Sequence, residues 1–179
     1  MQIENIVSDS DAVRIEAALC DANFPWFYRP SSVYGLEGPD TPDHQWVHAF
    51  YVQGQVASDY YDLIIPVLRG FESATGHQVL NLYKVKANLT TPMRLTDCEM
   101  DQLKHTDHEG RPRNYASIVY YVNDSDGDTL VYDDLGTVIE RVTPRRGSAV
   151  WFPSYQLHRP GQPQLHKTRV VLNFVVEIK

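Results

Sequence analysis

Thr168-Arg169-Val170-Val171-Leu172-Asn173-Phe174-Val175-Val176 is an apolar, valine-rich run that holds a single guanidinium. Its composition reads as part of a β-strand from about Val170 to Ile178. A charge in such a strand is costly unless an anion faces it. Arg169 therefore predicts something negative opposite it, a ligand or one of the chain's own carboxylates, and the planar fork of arginine matches a carboxylate with two parallel hydrogen bonds. Working back along the chain, His158 stands eleven positions earlier (169 − 158 = 11), and His105-Thr106-Asp107 lies upstream of it. Alternate residues of an extended segment share a face. His105 and Asp107 can thus grip one ion while Thr106 points away, and His158 completes a triad. Two imidazoles and one carboxylate hold one face of a six-coordinate iron(II) and leave positions open for chemistry.

The remainder of the chain predicts helices first and strands afterwards. Ser8 or Asp9 to about Ala22 reads as a short amphipathic helix with a capping residue at its start. Phe24 to Asp43 mixes aromatics with prolines and glycines and reads as an ordered loop, followed by a strand from about Trp46 to Val52. After Ser58, residues Tyr61, Ile64, Ile65, Leu68 and Phe71 share a helical face, and Pro66 is expected to bend that helix. Strands are expected over about Val79 to Leu89, Ala116 to Asn123, Thr129 to Tyr132, Val138 to Val142 and Ala149 to Phe152, ahead of the run quoted above. Helices buttressing an antiparallel double sheet give an α+β class, in a single domain over residues 1–179.

The motifs in this order resemble the Fe(II)/2-oxoglutarate-dependent dioxygenases, and within them the prolyl 4-hydroxylase-like branch. Tyr115-Ala116-Ser117-Ile118-Val119-Tyr120-Tyr121-Val122-Asn123 is similar to the branch's "IYYLN" strand. Gly147 to Ser154, ending in Phe152-Pro153-Ser154, resembles the approach to its distal histidine. Phe24 to Tyr28 ("FPWFY") and Tyr83 to Leu89 are similar to segments of short members, many of them phage-encoded. Gly127-Asp128-Thr129-Leu130 departs from the family's "GGxL", and the stretch from Tyr83 to His105 is longer than in typical prolyl hydroxylases. The resemblance implies a double-stranded β-helix, or jelly roll, with His105, Asp107 and His158 on Fe(II). It implies 2-oxoglutarate and O2 as co-substrates, with Arg169 and Tyr121 on the 2-oxoglutarate carboxylate. Asn173, on the same strand face as Arg169, and Tyr83 are further candidates for that pocket, ahead of Lys84, Lys86 and Asn88. The implied reaction hydroxylates an unactivated C–H bond, and an intact Asp107 favours this over halogenation.

Substrate remains open at this stage between a prolyl or other residue of a peptide or protein and a free amino acid or small metabolite. A non-catalytic, cupin-like metal-binding module is the alternative of another class. The net charge of −7 argues against broad nucleic-acid binding, and Val175 stands where the nucleic-acid dealkylases of the family carry a further arginine. No apolar run approaches the ~20 residues of a membrane span. The start lacks a leader pattern, and Cys20 and Cys98 form no CxxC pair, so a reducing cytoplasm is expected, that of a host if the chain is phage-encoded. Oligomeric state is not legible. His108 and His166 are rival histidines that miss the spacing. His44 and His48 read as surface or pocket-rim residues, Arg111 and Arg113 as loop or mouth residues, and Asp124 to Asp128 as a hairpin turn rather than a calcium loop.

Overall fold

The structure is a computed structural model that describes residues 1–31, 43–107 and 114–179. Ser8 accepts the Asp11 backbone N–H at 3.1 Å and starts helix α1, Asp9–Leu19, which buries Ala12, Ile15 and Leu19. The helix stops short of Ala22 because the Asp21 carboxylate accepts the Asn23 N–H at 2.7 Å, a local bond that competes with the helical one. The second predicted helix is also corrected. A short 3-10 turn over Tyr61–Leu63 precedes α2, Ile65–Thr75, so Pro66 falls in the first turn and does not bend it. A proline there removes a donor that has no intrahelical partner anyway. A third helix, α3, Asp97–Gln102, was not expected; Thr96 and Glu99 cap it reciprocally.

The strands are β1 (Gln2–Ile3), β2 (Phe27–Arg29), β3 (Gln45–Val52), β4 (Gln55–Val56), β5 (Val79–Thr90), β6 (Tyr115–Tyr121), β7 (Thr129–Tyr132), β8 (Val138–Val142), β9 (Ala149–Pro153), β10 (His158–Pro160) and β11 (Arg169–Ile178). The larger sheet runs β1-β9-β6-β11-β5-β3-β2, with β4 beside β3, and the smaller runs β10-β7-β8. Their pairings are antiparallel.

Period-two alternation sorts the large sheet's side chains into two cores. Ile118 and Tyr120 of β6, with Leu172, Phe174 and Val176 of β11, pack on the side of Ile15, Val67 and Phe71 from the helices. Val119, Tyr121 and Val171, one residue out of phase, pack with Val131 and Val142 of the small sheet. Layers of helices, large sheet and small sheet result, which is the double-stranded β-helix arrangement. Residues 124–128 do not make a hairpin: β6 and β7 lie in different sheets, and the segment is a corner between them. There the Asp126 carboxylate accepts the backbone N–H groups of Gln164 and Leu165 at 3.1 and 2.8 Å and pins the loop that leads into β11.

His48 is not a surface or rim residue. It is 6% exposed, with ring nitrogens 2.9 Å from Pro25 O and 2.7 Å from Ser58 Oγ, among the rings of Phe24, Phe50 and Tyr60. His44 lies against Tyr28 and Trp46. His108, Arg111 and Arg113 lie outside the described residues.

Candidate active site

His105 is not inside a strand, yet its backbone is fixed as if it were. It forms an isolated antiparallel bridge with His158, whose carbonyl accepts the His105 N–H at 2.9 Å while His105 O accepts the His158 N–H at 3.0 Å. Directly opposed residues of an antiparallel pair project to the same side, and the two ring centroids stand 4.4 Å apart. Asp107, two residues on, donates its N–H to Ser154 O at 3.0 Å. These backbone bonds bring one ligand atom from each of His105, Asp107 and His158 within 4.8 Å of the others. His166 is elsewhere, its ring 3.1 Å from Asp126.

The second atoms of each side chain are also held. Nδ1 of His105 lies 2.9 Å from Leu103 O, and Nδ1 of His158 lies 3.0 Å from Gln156 O. A carbonyl only accepts, so both rings carry their proton on Nδ1 and present the Nε2 lone pair, the tautomer a metal ligand requires. Ser117 Oγ donates to Asp107 Oδ2 at 2.7 Å and sits 3.0 Å from Ser154 Oγ, while Lys84 Nζ stands 3.8 Å from Asp107 Oδ1. Burial, then the charge of His158, pushes the His105 pKa down to about 4. For Asp107 burial acts upward, but His158, Lys84, His105 and the Ser117 hydroxyl outweigh it and hold the carboxyl well below its usual range. Neutral imidazoles and an ionised carboxylate are the donor set for a divalent cation.

A cavity opens beside this triad, lined by Lys86, Asn88, Val119, Thr129, Pro160, Arg169 and Asn173 together with the three ligands. Arg169 is 4% exposed, and its Nε donates to Gly127 O at 2.7 Å while Nη2 donates to Thr129 Oγ1 at 2.9 Å. Among the described residues no carboxylate pairs with it, and burial pulls its pKa below the ordinary value. Gly127 is required for this approach: a Cβ there would lie 2.7 Å from Gly161 O and 2.8 Å from Arg169 Cδ.

Tyr121 stands beside Thr129 and Arg169. It is fully buried, lies outside the cavity lining, and its hydroxyl donates to Thr129 Oγ1 at 2.8 Å. Burial pushes its pKa up to about 12, so it remains a donor. Thr129 Oγ1 thus accepts from both Tyr121 and Arg169, which leaves its own proton for a ligand. Asn173 lines the cavity, whereas Tyr83 does not: it is 38% exposed and meets Tyr115 edge-on. Tyr83 is the extra residue at a register shift between Val175 and Val176, and it is one residue out of phase with Lys84, Lys86 and Asn88. Ser117, Ser154 and Thr129 were not singled out from sequence. Lys86 and Asn88 were ranked below Tyr83, although their alternation with Val85 and Ala87 was legible. Lys86 is pushed down to about 8, by burial first and then by Lys84.

Residues 93–176 match the family described as the 2OG-Fe(II) oxygenase superfamily. The matched segment carries the metal triad and Arg169. Among solved structures, the chain is similar to a 2OG-Fe(II) oxygenase family oxidoreductase from Burkholderia pseudomallei (TM-score 0.69, 13% identity, covering 99% of this chain and 84% of that one). It is also similar to the alpha-ketoglutarate-dependent epimerase SnoN of nogalamycin biosynthesis (0.66, 12%, 99% and 77%). A prolyl-4-hydroxylase from Pseudomonas putida follows (0.61, 17%, 99% and 91%). At these identities the likeness speaks to the fold. No curated protein matches the sequence. The family's cofactor is Fe(II) and its co-substrate 2-oxoglutarate, and the cavity suits both: ligand atoms converge at the triad, and the buried Arg169 fork meets no carboxylate among the described residues. Among the described residues no helix is long and apolar enough to cross a membrane.

Proposed function

We propose that the protein is a hydroxylase in which His105, Asp107 and His158 hold Fe(II), and Arg169 with Thr129 holds the distal carboxylate of 2-oxoglutarate. The observation that carries this reading is that one cavity is lined both by the triad, its two imidazoles protonated on Nδ1, and by a buried Arg169 fork that meets no carboxylate among the described residues. Bound iron supplies the oxidising chemistry. The overall change is R–H + O2 + 2-oxoglutarate → R–OH + succinate + CO2, one oxygen atom going to succinate and the other to the hydroxyl group. Ser117 and the Leu103 and Gln156 carbonyls orient the three ligands, and Tyr121 orients Thr129. Asn173 lines the cavity beside the co-substrate.

As primary substrate we favour a prolyl or other residue of a peptide or protein, a reading supported by the motif resemblance and by the prolyl-4-hydroxylase among the neighbours of like fold. The epimerase neighbour makes a small molecule the second reading. Free Cys20 and Cys98 suit a cytoplasmic setting, that of a host if the chain is phage-encoded. The test mixes metal-free protein anaerobically with Fe(II) and 2-oxoglutarate and looks for the visible metal-to-ligand charge-transfer band, with His105→Ala as control, then admits O2 and assays succinate. A band lost in the variant and succinate formed in air support the reading. No band from folded wild-type protein assigns a metal-binding module instead.

A further inference from the structure

Arg169 and the metal account for both ends of a bound 2-oxoglutarate, but the cavity holds another cation. Lys86 lines it on β5, opposite Asn173 of β11, which lies opposite Val119 of β6. Along the same face of β5, Lys84 reaches to 3.8 Å from Asp107, and Thr90 at the strand's end pairs with Arg169. Thr90 lies four positions beyond Lys86, roughly 13 Å of strand. Lys86 therefore serves the metal end of the cavity.

Its neighbour Asn88 has a fixed polarity. Ser31 O can only accept, so Gln45 turns its Nε2 to it at 3.2 Å and its Oε1 to Asn88, whose Nδ2 donates at 2.6 Å. That leaves Asn88 Oδ1 buried and, among the described residues, without a partner. A 2-oxoglutarate dianion carries acceptors only and cannot satisfy this oxygen. An ammonium can, because its three N–H groups serve Asn88 and an anion together. When a cation occupies the triad, Asp107 is committed to it, and a carboxylate arriving at the metal is the anion that then balances Lys86.

On the oxygenase reading above, we propose that Lys86, steered by Asn88, is a second cationic anchor of 2-oxoglutarate that binds the keto-acid carboxylate, at the end of the cavity away from Arg169. It is a binding and positioning residue.

The test is an anaerobic titration of the Fe(II) protein with 2-oxoglutarate and, separately, with 2-oxovalerate, which keeps the keto-acid end and lacks the distal carboxylate. The charge-transfer band reports binding without turnover. Lys86→Met is expected to weaken both acids by about 10- to 100-fold, the range for a hydrogen bond to a charged group. Arg169→Ala is expected to weaken 2-oxoglutarate alone, and Lys86→Arg to stay near wild type. Wild-type affinity of Lys86→Met for both acids overturns the proposal, as does a loss confined to 2-oxoglutarate, which would put Lys86 at the Arg169 end. Should Lys86→Met not fold, Lys86→Gln carries the same expectations. Absence of the band in wild-type protein would count against the oxygenase reading itself, so the two failures are distinguishable.

Discussion

Replacing Arg169 tests the co-substrate site most directly. Its guanidinium has five N–H groups. One goes to Gly127 O and one to Thr129 Oγ1, which leaves both protons of Nη1 and one of Nη2 for the cavity. Those three include one proton on each terminal nitrogen, as a bidentate grip on a carboxylate requires. Losing one partner of a buried charged pair costs about 2 to 5 kcal/mol, or about 30- to 5,000-fold in affinity. Arg169→Ala should raise the Kd for 2-oxoglutarate by that factor in an anaerobic charge-transfer titration. Arg169→Lys keeps the charge but not the fork, and should fall between the two. The variant also strips a donor from Gly127 O and Thr129 Oγ1, at about 1 to 3 kcal/mol each, partly offset by removal of a buried charge. Ligand-free melting separates that loss from binding. A folded Arg169→Ala protein with wild-type affinity would refute the assignment.

Ser117→Ala removes the hydroxyl that donates to Asp107 at 2.7 Å and should weaken Fe(II) binding about 10- to 100-fold, measured by metal titration at saturating 2-oxoglutarate; unchanged iron affinity would remove Ser117 from the ligand support. Gly127→Ala drives a Cβ into Gly161 O and Arg169 Cδ, so it should lower stability by about 1 to 3 kcal/mol and weaken 2-oxoglutarate binding, whereas Gly136→Ala, whose Cβ meets nothing, should leave that binding unchanged. Metal-free protein should lose stability as pH falls from 6.5 toward 4. Over that window the unfolded His105 takes up a proton that the folded one, depressed to about 4, refuses, a linkage of at most about 3 kcal/mol. Depressed Asp107 acts in the same direction below its unfolded value of 3.8. Denaturant melts at pH 7, 5.5 and 4.5 should show this slope, and His105→Gln should flatten it; a flat wild-type profile would contradict the burial of a neutral His105.

Much of the site was legible because ligand chemistry is carried by residue type and spacing. His105, Asp107 and His158 converge as their order suggested, and a guanidinium in the run ending at Val176 did mark a buried cation facing a cavity. The predicted strands lie within a few residues of those observed, because alternation of apolar and polar residues is a local signal. What failed shares one cause. Pro66, the corner at residues 124–128 and His48 each depend on where a neighbouring element begins or on which sheet it joins.

The sequence alone determined the α+β class, the two alternating faces of β6 and β11, and the donor set for a metal, since each follows from local periodicity or from side-chain chemistry. Only the tertiary structure decided that Tyr121 donates to Thr129, that Lys86 and Asn88 line the cavity, and that Asn88 Nδ2 is taken up by Gln45. Those facts rest on a strand register and on hydrogen bonds between residues far apart in the chain, such as Ser31 O to Gln45 and Gln45 to Asn88, and such pairings exist only once distant segments have packed together.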